Sequence, residues 1–324
     1  MSSPAAPATV TVIVPGRDVA AYAPEALDSL RAQTFPHWRA ILVDDGSADA
    51  TAGIFAAAAD TDPRFRLVRH ERSRGLGAAR NAALDLVDTP LVAFLDADDV
   101  LTATALEVLV GSLTASGSDF AVGAYVRLRP DDDGGYTPGV VQPWVAASTS
   151  PARQGTTLAE HPEASGNIVA WSKVSRIEFW RRHGLRFPEG RAYEDQVVAQ
   201  QMYSGARAFD VVPDVVVLWR ERADGSSITQ HKDYLGVLTD YLAAMRNGIA
   251  VLDAAGQRAA ARARVRLILD MDVPPLIEIA RTHPDAAYRR LLGAFIRELD
   301  DRAEEESVTL ADASAAALAA ARLW

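Results

Sequence analysis

Between Thr9 and Asp96 the chain alternates apolar, β-branched runs with segments of helical period, and the joints between them are short. TVTVIVP, RAILVDD, FRLVRH and PLVAFLD read as strands; YAPEALDSLRAQ, ADATAGIFAAAA and GLGAARNAALDLV read as the helices between them. TVTVIVP is stopped by Pro15 and Gly16, and the second helix is expected to open at Asp49. A strand followed by a helix and a further strand closes most simply as a parallel pair with the helix packed on one face. The alternation therefore predicts an α/β fold, a mostly parallel sheet with helices on both faces.

Beyond this frame, SDFAVGAYVRL and DVVVLWRER are two more strand-like pieces around a less regular stretch from Arg129 to about His161, with a turn at DDDGGY. After Gln230 the pattern becomes helical throughout, in KDYLGVLTDYLAAMRNGIAVLDAAG, RAAARARVRLILDMD, DAAYRRLLGAFIRELDDRAEEE and SVTLADASAAALAAARLW. A boundary is expected near residue 231, giving a site-bearing region 1–230 and a C-terminal helical region 231–324, whose default use is packing or self-association. The net charge of −10 argues against a nucleic-acid partner. There is no cysteine, MSSPAAPATV lacks the features of a secretory signal, and no run is apolar enough to span a membrane. These features predict a cytoplasmic protein, at most peripherally associated with the inner face of a membrane.

Ligands of open α/β sheets sit beyond the carboxyl ends of the strands. Three polar clusters fall there: Pro15-Gly16-Arg17-Asp18, Asp44-Asp45-Gly46-Ser47 and Asp96-Ala97-Asp98-Asp99. Helix capping is the plain alternative and suits Ser47-Ala48-Asp49, but it leaves Asp44, Asp45 and Asp96 unexplained. AFLDADDVL carries three carboxylates with no lysine or arginine within ten residues on either side. Such a concentration of charge needs a positive partner. A phosphoacceptor receiver fails for want of an early lysine, since Lys occurs only at 173 and 232. An EF-hand loop from Asp96 fails at Leu101, where glycine belongs. Gly75-Leu76-Gly77 lacks the third glycine of a dinucleotide loop and follows the wrong strand. Two aspartates one residue apart suit a hard divalent cation, Mn²⁺ or Mg²⁺, completed by phosphate oxygens and water.

In order, VIVP, SLRAQTFPHWRAILVDDGSADAT, RGLGAARNAAL, PLVAFLDADDVL, AWSKVSRIEFWRRHGLRFPEG, YEDQ and WRERADGSSITQ resemble a family 2 glycosyltransferase of GT-A fold. The likeness covers roughly residues 9–230 and points to the bacterial branch that builds cell-surface polysaccharides, including enzymes that glycosylate teichoic acid. It implies inverting hexosyl or N-acetylhexosaminyl transfer from a nucleotide-diphosphate sugar, UDP-linked by expectation, to a hydroxyl of a glycan or polyol-phosphate acceptor. By the same resemblance, Pro15, Asp18, Asp44, Asp45, Gly75 and Ala97 belong to the donor site, with Asp44 and Asp45 hydrogen-bonding the base. Asp96 and Asp98 are the D-x-D, Asp98 the more direct metal ligand and Asp96 toward the ribose or sugar; Arg80 braces this floor. His231 would complete the metal shell, against the ordinary reading of a solvent histidine. The family's Val-Tyr-Asn after Pro15 is replaced by Gly16-Arg17-Asp18, so Arg17 would stack on the base in place of the tyrosine.

Asp195 matches the family's base. Inverting transfer needs one carboxylate to take the acceptor proton, whereas glycosidases use two. Glu194 shares the helix start, where the dipole favours any carboxylate, but not that role. Trp171 and Lys173 would floor the acceptor pocket, unless they are a core tryptophan and a surface lysine. Arg220 and Arg222 would meet phosphates, unless their shared face is merely exposed. A nucleotidylyltransferase would need a Gly-rich basic loop after the first strand, which PGRDVAAYAPEAL lacks. A non-catalytic relative would have lost the D-x-D or the base, and both are present.

Overall fold

The computed structural model describes residues 10–227 and 231–324. Its first part is β1 (Val10–Gly16), α1 (Ala23–Arg31), β2 (Trp38–Asp44), α2 (Thr51–Thr61), β3 (Phe65–Arg69), α3 (Leu76–Leu84) and β4 (Leu91–Phe94). β1 is buried along its whole length, as a strand covered by helices on both faces must be. It pairs in parallel with β2 on one side and β4 on the other, and β2 pairs in parallel with β3. The carboxyl ends of β1, β2 and β4 are thereby adjacent, so their polar clusters share one rim. The second helix opens at Thr51 rather than Asp49, because Asp49 lies outside the helix and its Oδ1 accepts the Thr51 amide at 2.8 Å.

There follow β5 (Val100–Leu101), α4 (Ala105–Ser116), β6 (Phe120–Pro130), β7 (Tyr136–Pro138), α5 (Pro143–Thr149), β8 (Arg153–Thr156), β9 (Lys173–Arg176), α6 (Ile177–His183), α7 (Asp195–Gly205) and β10 (Phe209–Arg220). The strands form one sheet in the order β3-β2-β1-β4-β9-β6-β10-β5, with β7 beside β6 and β8 beside β10. The sheet is parallel through β3-β2-β1-β4 and again where β10 pairs with β6, while β5 and β8 run antiparallel to β10 and β7 antiparallel to β6. β9 lies antiparallel between β4 and β6, which makes the sheet mixed. KVSR is too short and too polar to announce a strand; its place is set by the neighbours it joins. The irregular stretch after Arg129 contains β7, α5 and β8.

The C-terminal region is α8 (Leu235–Ala254), α9 (Arg258–Leu267), a π-helical turn at Ile268–Asp272, α10 (Val273–Thr282), α11 (Ala286–Glu305) and α12 (Asp312–Ala321). The helix α10 begins VPP and falls between the two segments RAAARARVRLILDMD and DAAYRRLLGAFIRELDDRAEEE that read as helical in sequence. One apolar core joins the two faces of the sheet, and a second lies among α8 to α12. The two are not insulated from each other. Leu252, Ala260 and Ala261 belong to the first core, and Tyr193 packs against the second. No helix among the described residues is long and apolar enough to cross a membrane.

Candidate active site

The rim is stitched together by its own polar groups. Asp45 N donates to Gly16 O at 3.0 Å and Ala97 N to Pro15 O at 3.1 Å, which ties the ends of β2 and β4 to that of β1. Asp18 adopts a left-handed φ of 50°, tolerable for aspartate. Its Oδ1 accepts the Ala48 amide at 2.7 Å and the Asp49 amide at 3.4 Å, so it caps the approach to α2. Gly46 has φ 70°, and a Cβ there would stand 2.6 Å from Ser73 N, so no other residue fits. Arg17 is exposed and donates to Ser73 Oγ at 3.1 Å, at the mouth of the rim.

Asp44 and Asp45 face the chain itself. Asp44 is fully buried; its Oδ1 accepts Ser47 N at 3.2 Å and its Oδ2 receives Arg69 Nε at 3.4 Å. Asp45 accepts from Ser73 Oγ at 2.7 Å, Arg74 N at 2.9 Å and Gly75 N at 2.9 Å, with His70 Nδ1 2.6 Å away. Burial raises the Asp45 carboxyl, but the His70, Arg74, Ser73 and Gly75 hydrogen bonds outweigh it and hold the group below the usual range. In this arrangement both carboxylates shape the two loops around the rim, a role distinct from the expected hydrogen bonds to a base.

The three aspartates of AFLDADDVL are answered by arginines far away in sequence. Arg80, on α3 and fully buried, donates through Nη2 to Asp96 Oδ1 at 2.6 Å and through Nη1 to Glu194 Oε1 at 2.5 Å. Its guanidinium lies 5.2 Å from the Phe187 ring centroid. Although burial opposes its charge, Asp96, Glu194 and Asp195 raise its pKa and keep it cationic. Gly77, a turn earlier on α3, makes this placement possible: a Cβ there would stand 2.2 Å from Pro188 O. Arg222 Nε meets Asp98 Oδ2 at 2.8 Å. Arg220 donates its amide to Asp99 Oδ1 at 2.8 Å, its Nε to Asp98 O at 2.7 Å and its Nη2 to Glu25 Oε2 at 2.5 Å. With a side chain 1% exposed, Arg220 is a structural strut, which corrects the expectation that it meets phosphates. Even with Arg222 beside it, burial and Asp96 leave the Asp98 carboxyl raised, and Asp99 is pushed well above the usual range.

Asp195 opens α7 next to this cluster. Burial raises its carboxyl, Asp96 adds to the rise, and Arg80 and Lys173 oppose it; the net direction is upward. Glu194 is likewise raised by burial against Arg80, to about 7. It is therefore Arg80's buried partner, and no acceptor contact of its own is needed to explain it. Lys173 is not a surface lysine: it is 2% exposed, with Nζ donating to Asn167 Oδ1 at 2.7 Å, Asn167 O at 3.0 Å and Val169 O at 2.6 Å. Burial pulls its pKa down to about 7, with Asp195 as the opposing influence. Three acceptors match the three donors of an ammonium, which favours the charged form. Trp171 is buried, packed edge-on to Tyr125 at 4.7 Å and tilted against Trp219 at 6.2 Å. Nothing in the sequence flagged Tyr125 and Trp219, which join Trp171 only across strands.

Asp96 and Asp98 are both partly accessible, at 22% and 16% of their side chains, while Ala97 and Asp99 between and beyond them are buried. Two carboxylates at a rim fit a Mn²⁺ or Mg²⁺ ion that takes its remaining oxygens from a diphosphate and water. They do not form an all-protein cage: among the described residues no three His, Cys, Asp or Glu side chains are grouped for a metal. His231 stacks on Tyr234 at 5.1 Å. Residues 228–230 of the SSITQ piece lie outside the described residues.

The open, mixed α/β sheet thus carries an acidic strand-end pair with a raised carboxylate, Asp195, beside it. The glycosyl transferase family 2 model matches residues 11–187, more than half of the sequence, and the chain belongs to that family. Streptococcus pneumoniae glycosyltransferase GlyA is 29% identical over 196 residues, 60% of this chain but only 28% of GlyA, so the chain spans less than a third of that relative. The fold is that of S. aureus TarS 1–349, solved in complex with UDP-GlcNAc, at TM-score 0.72 and 21% identity over 91% of this chain and 82% of that one. The Pyrobaculum calidifontis mannosyltransferase PcManGT, solved with GDP-Man and Mn²⁺, superposes at TM-score 0.55 with 20% identity, over 97% and 87% of the chains. The chain thus has a GT-A-like mixed sheet with helices, plus a C-terminal helical region.

Proposed function

We propose that the chain is an inverting glycosyltransferase that moves a sugar from a UDP-linked donor to a hydroxyl of a cell-surface glycan or polyol-phosphate acceptor. The observation that carries the reading is the position of Asp195. Its carboxyl is raised and partly accessible, and it shares the Arg80 field with Asp96 of the strand-end pair. A base for an alcohol works best when its pKa approaches the operating pH, and burial moves Asp195 in that direction. Asp195 takes the acceptor proton as the hydroxyl oxygen attacks C1 of the donor from the face opposite the diphosphate. Arg80 fixes Asp96, and Arg222 fixes Asp98, against the donor side. A divalent cation held by Asp96 and Asp98 would neutralise the departing diphosphate when bound. Arg17 at the mouth is free of the core and suits stacking on the base; Asp44, Asp45, Asp18 and Gly75 support the wall it lies against. Trp171, with Tyr125 and Trp219, offers an apolar wall of the kind that packs on a sugar face.

The matching family and the UDP-GlcNAc complex of the similarly folded TarS support the reaction class and the donor. The purified protein incubated with Mn²⁺ and a panel of UDP- and GDP-sugars, with and without polyol-phosphate or lipid-linked glycan acceptors, tests it. Acceptor-dependent release of UDP is expected. Failure of every nucleotide sugar to bind or to turn over would refute it.

A further inference from the structure

Tyr193, immediately before Glu194-Asp195, has φ 60°. For a bulky aromatic this left-handed conformation is a genuine outlier, and it persists only where surrounding contacts over-determine it. Those contacts come from the C-terminal helices. Asp240 on α8 accepts the Ala192 amide through Oδ2 at 3.0 Å and Arg191 Nη1 through Oδ1 at 3.1 Å. One residue on, the Tyr241 ring stacks on the Tyr193 ring, centroids 4.2 Å apart and planes 29° from parallel.

Tyr241 is itself fixed. Its hydroxyl donates to Asp272 Oδ1 at 2.8 Å, and Asp272 Oδ2 pairs with Arg264 on α9 at 3.1 Å. Arg264 is 3% exposed and its Nη2 also reaches Gln196 Oε1 at 3.3 Å. Gln196 follows Asp195 directly. The chain of contacts therefore leaves the loop at residues 191–193, passes through α8, the π-helical turn and α9, and returns to α7 one residue beyond Asp195. Both flanks of the Glu194-Asp195 pair are gripped by one network, and most of that network belongs to the C-terminal region.

We propose that Asp240 and Tyr241 are positioning residues: the C-terminal helices clamp the strained Tyr193 loop and so aim Asp195 at the acceptor. The C-terminal region is then part of the catalytic apparatus and more than a packing or self-association unit. The inference rests on Asp195 being the base. It predicts a loss in turnover without a loss in donor binding, because Pro15, Arg17, Asp44, Asp96 and Asp98 lie on other elements. Displacement of a reacting group by about 1 Å can cost about 10²-fold in rate.

The test compares Tyr241→Ala, Tyr241→Phe and Asp240→Ala in the full chain, measuring kcat, KM for the acceptor, UDP affinity with Mn²⁺ by calorimetry, and thermal melting. Asp195→Asn is assayed alongside. Expected are a kcat about 10²-fold lower in Tyr241→Ala and lower also in Asp240→Ala, UDP affinity close to that of the parent in both, and a Tyr241→Phe kcat between parent and Tyr241→Ala, because the stack remains but its hydroxyl anchor on Asp272 is lost. Unchanged kcat in Asp240→Ala and Tyr241→Ala overturns the clamp, as does a parallel loss of UDP affinity, which would mark general destabilisation. Should Tyr241→Ala melt below the assay temperature, Asp240→Ala decides alone, since it removes one surface-proximal carboxylate. Full transfer by Asp195→Asn would instead refute the base assignment, a failure visible apart from either clamp variant.

Discussion

Replacing Arg80 with methionine keeps the side-chain stem against Phe187 and removes the cation that Asp96 and Glu194 share. The nitrogen–oxygen contacts of 2.6 and 2.5 Å put opposite charges roughly 4 Å apart, a gross attraction of about 4 kcal/mol for each pair at an effective dielectric of about 20. Desolvating the ions costs several kcal/mol each, so the intact cluster contributes little net stability. Its breakage is another matter. Removal of one member of a buried ion pair leaves the other charge uncompensated and costs about 3–5 kcal/mol. The loss should depend on pH with a definite sign. Burial raises Glu194 to about 7, above the ordinary carboxylate range, so the native state holds its proton more tightly than the unfolded chain and stability declines as pH rises toward that value. Without Arg80 the upward shift grows and the decline extends to higher pH. Denaturant melts of parent and Arg80→Met at pH 5 and pH 8 should show a gap that is modest at pH 5 and reaches about 3–5 kcal/mol at pH 8. Adding Glu194→Gln to Arg80→Met should recover part of it, since one stranded charge is gone. A gap below about 1 kcal/mol at pH 8, or one that is the same at both pH values, would refute the bridging role.

Asp195→Asn should lower transfer by about 10²–10⁴-fold while leaving UDP binding intact, as read by steady-state assay and calorimetry. Glu194→Gln should lose part of both stability and turnover, because Glu194 meets Arg80 at 2.5 Å; full parental behaviour would contradict the buried pair. The pH profile of kcat/KM should rise on its acid side above the ordinary carboxylate range, since Asp195 must be ionised to act and its carboxyl is raised. Lys173→Met removes a cation that lowers Asp195, so the acid limb should move to still higher pH; a limb that moves down or stays would show that Lys173 does not act on the base. Asp98→Ala should abolish the Mn²⁺-dependent part of UDP affinity, and unchanged calorimetry with and without Mn²⁺ would remove Asp98 from the metal's ligands.

Much of the first half was readable because its determinants are local. The alternation of TVTVIVP, RAILVDD, FRLVRH and PLVAFLD with helical segments led to β1 to β4, because period and burial are set by neighbours a few residues apart. The antiparallel β9 was not readable. KVSR has neither length nor apolar alternation, and it becomes a strand only because β4 and β6 offer edges on both sides. The site divided in the same way. Asp44, Asp45, Asp96 and Asp98 stood out at strand ends, but what they face did not: Asp45 organises the 70–75 loop, and Arg220, at the end of the strand β10 that pairs with β5, holds Asp99 from 121 residues away.

The sequence alone determined the α/β class, the rim on which the polar clusters gather, and the resemblance to a family whose model the chain matches. Only the tertiary structure decided what compensates the aspartates. The absence of a nearby lysine or arginine in the sequence pointed to a metal as the positive partner, yet Arg80 meets Asp96 from 16 residues away and Arg222 meets Asp98 from 124. It also decided that Lys173 is buried, and that Tyr193, two residues before the proposed base, is strained and stacked on a C-terminal helix. The physical reason is that hydrogen-bond periodicity acts between near neighbours along the chain, whereas Coulomb attraction, desolvation and ring packing depend on distance in space.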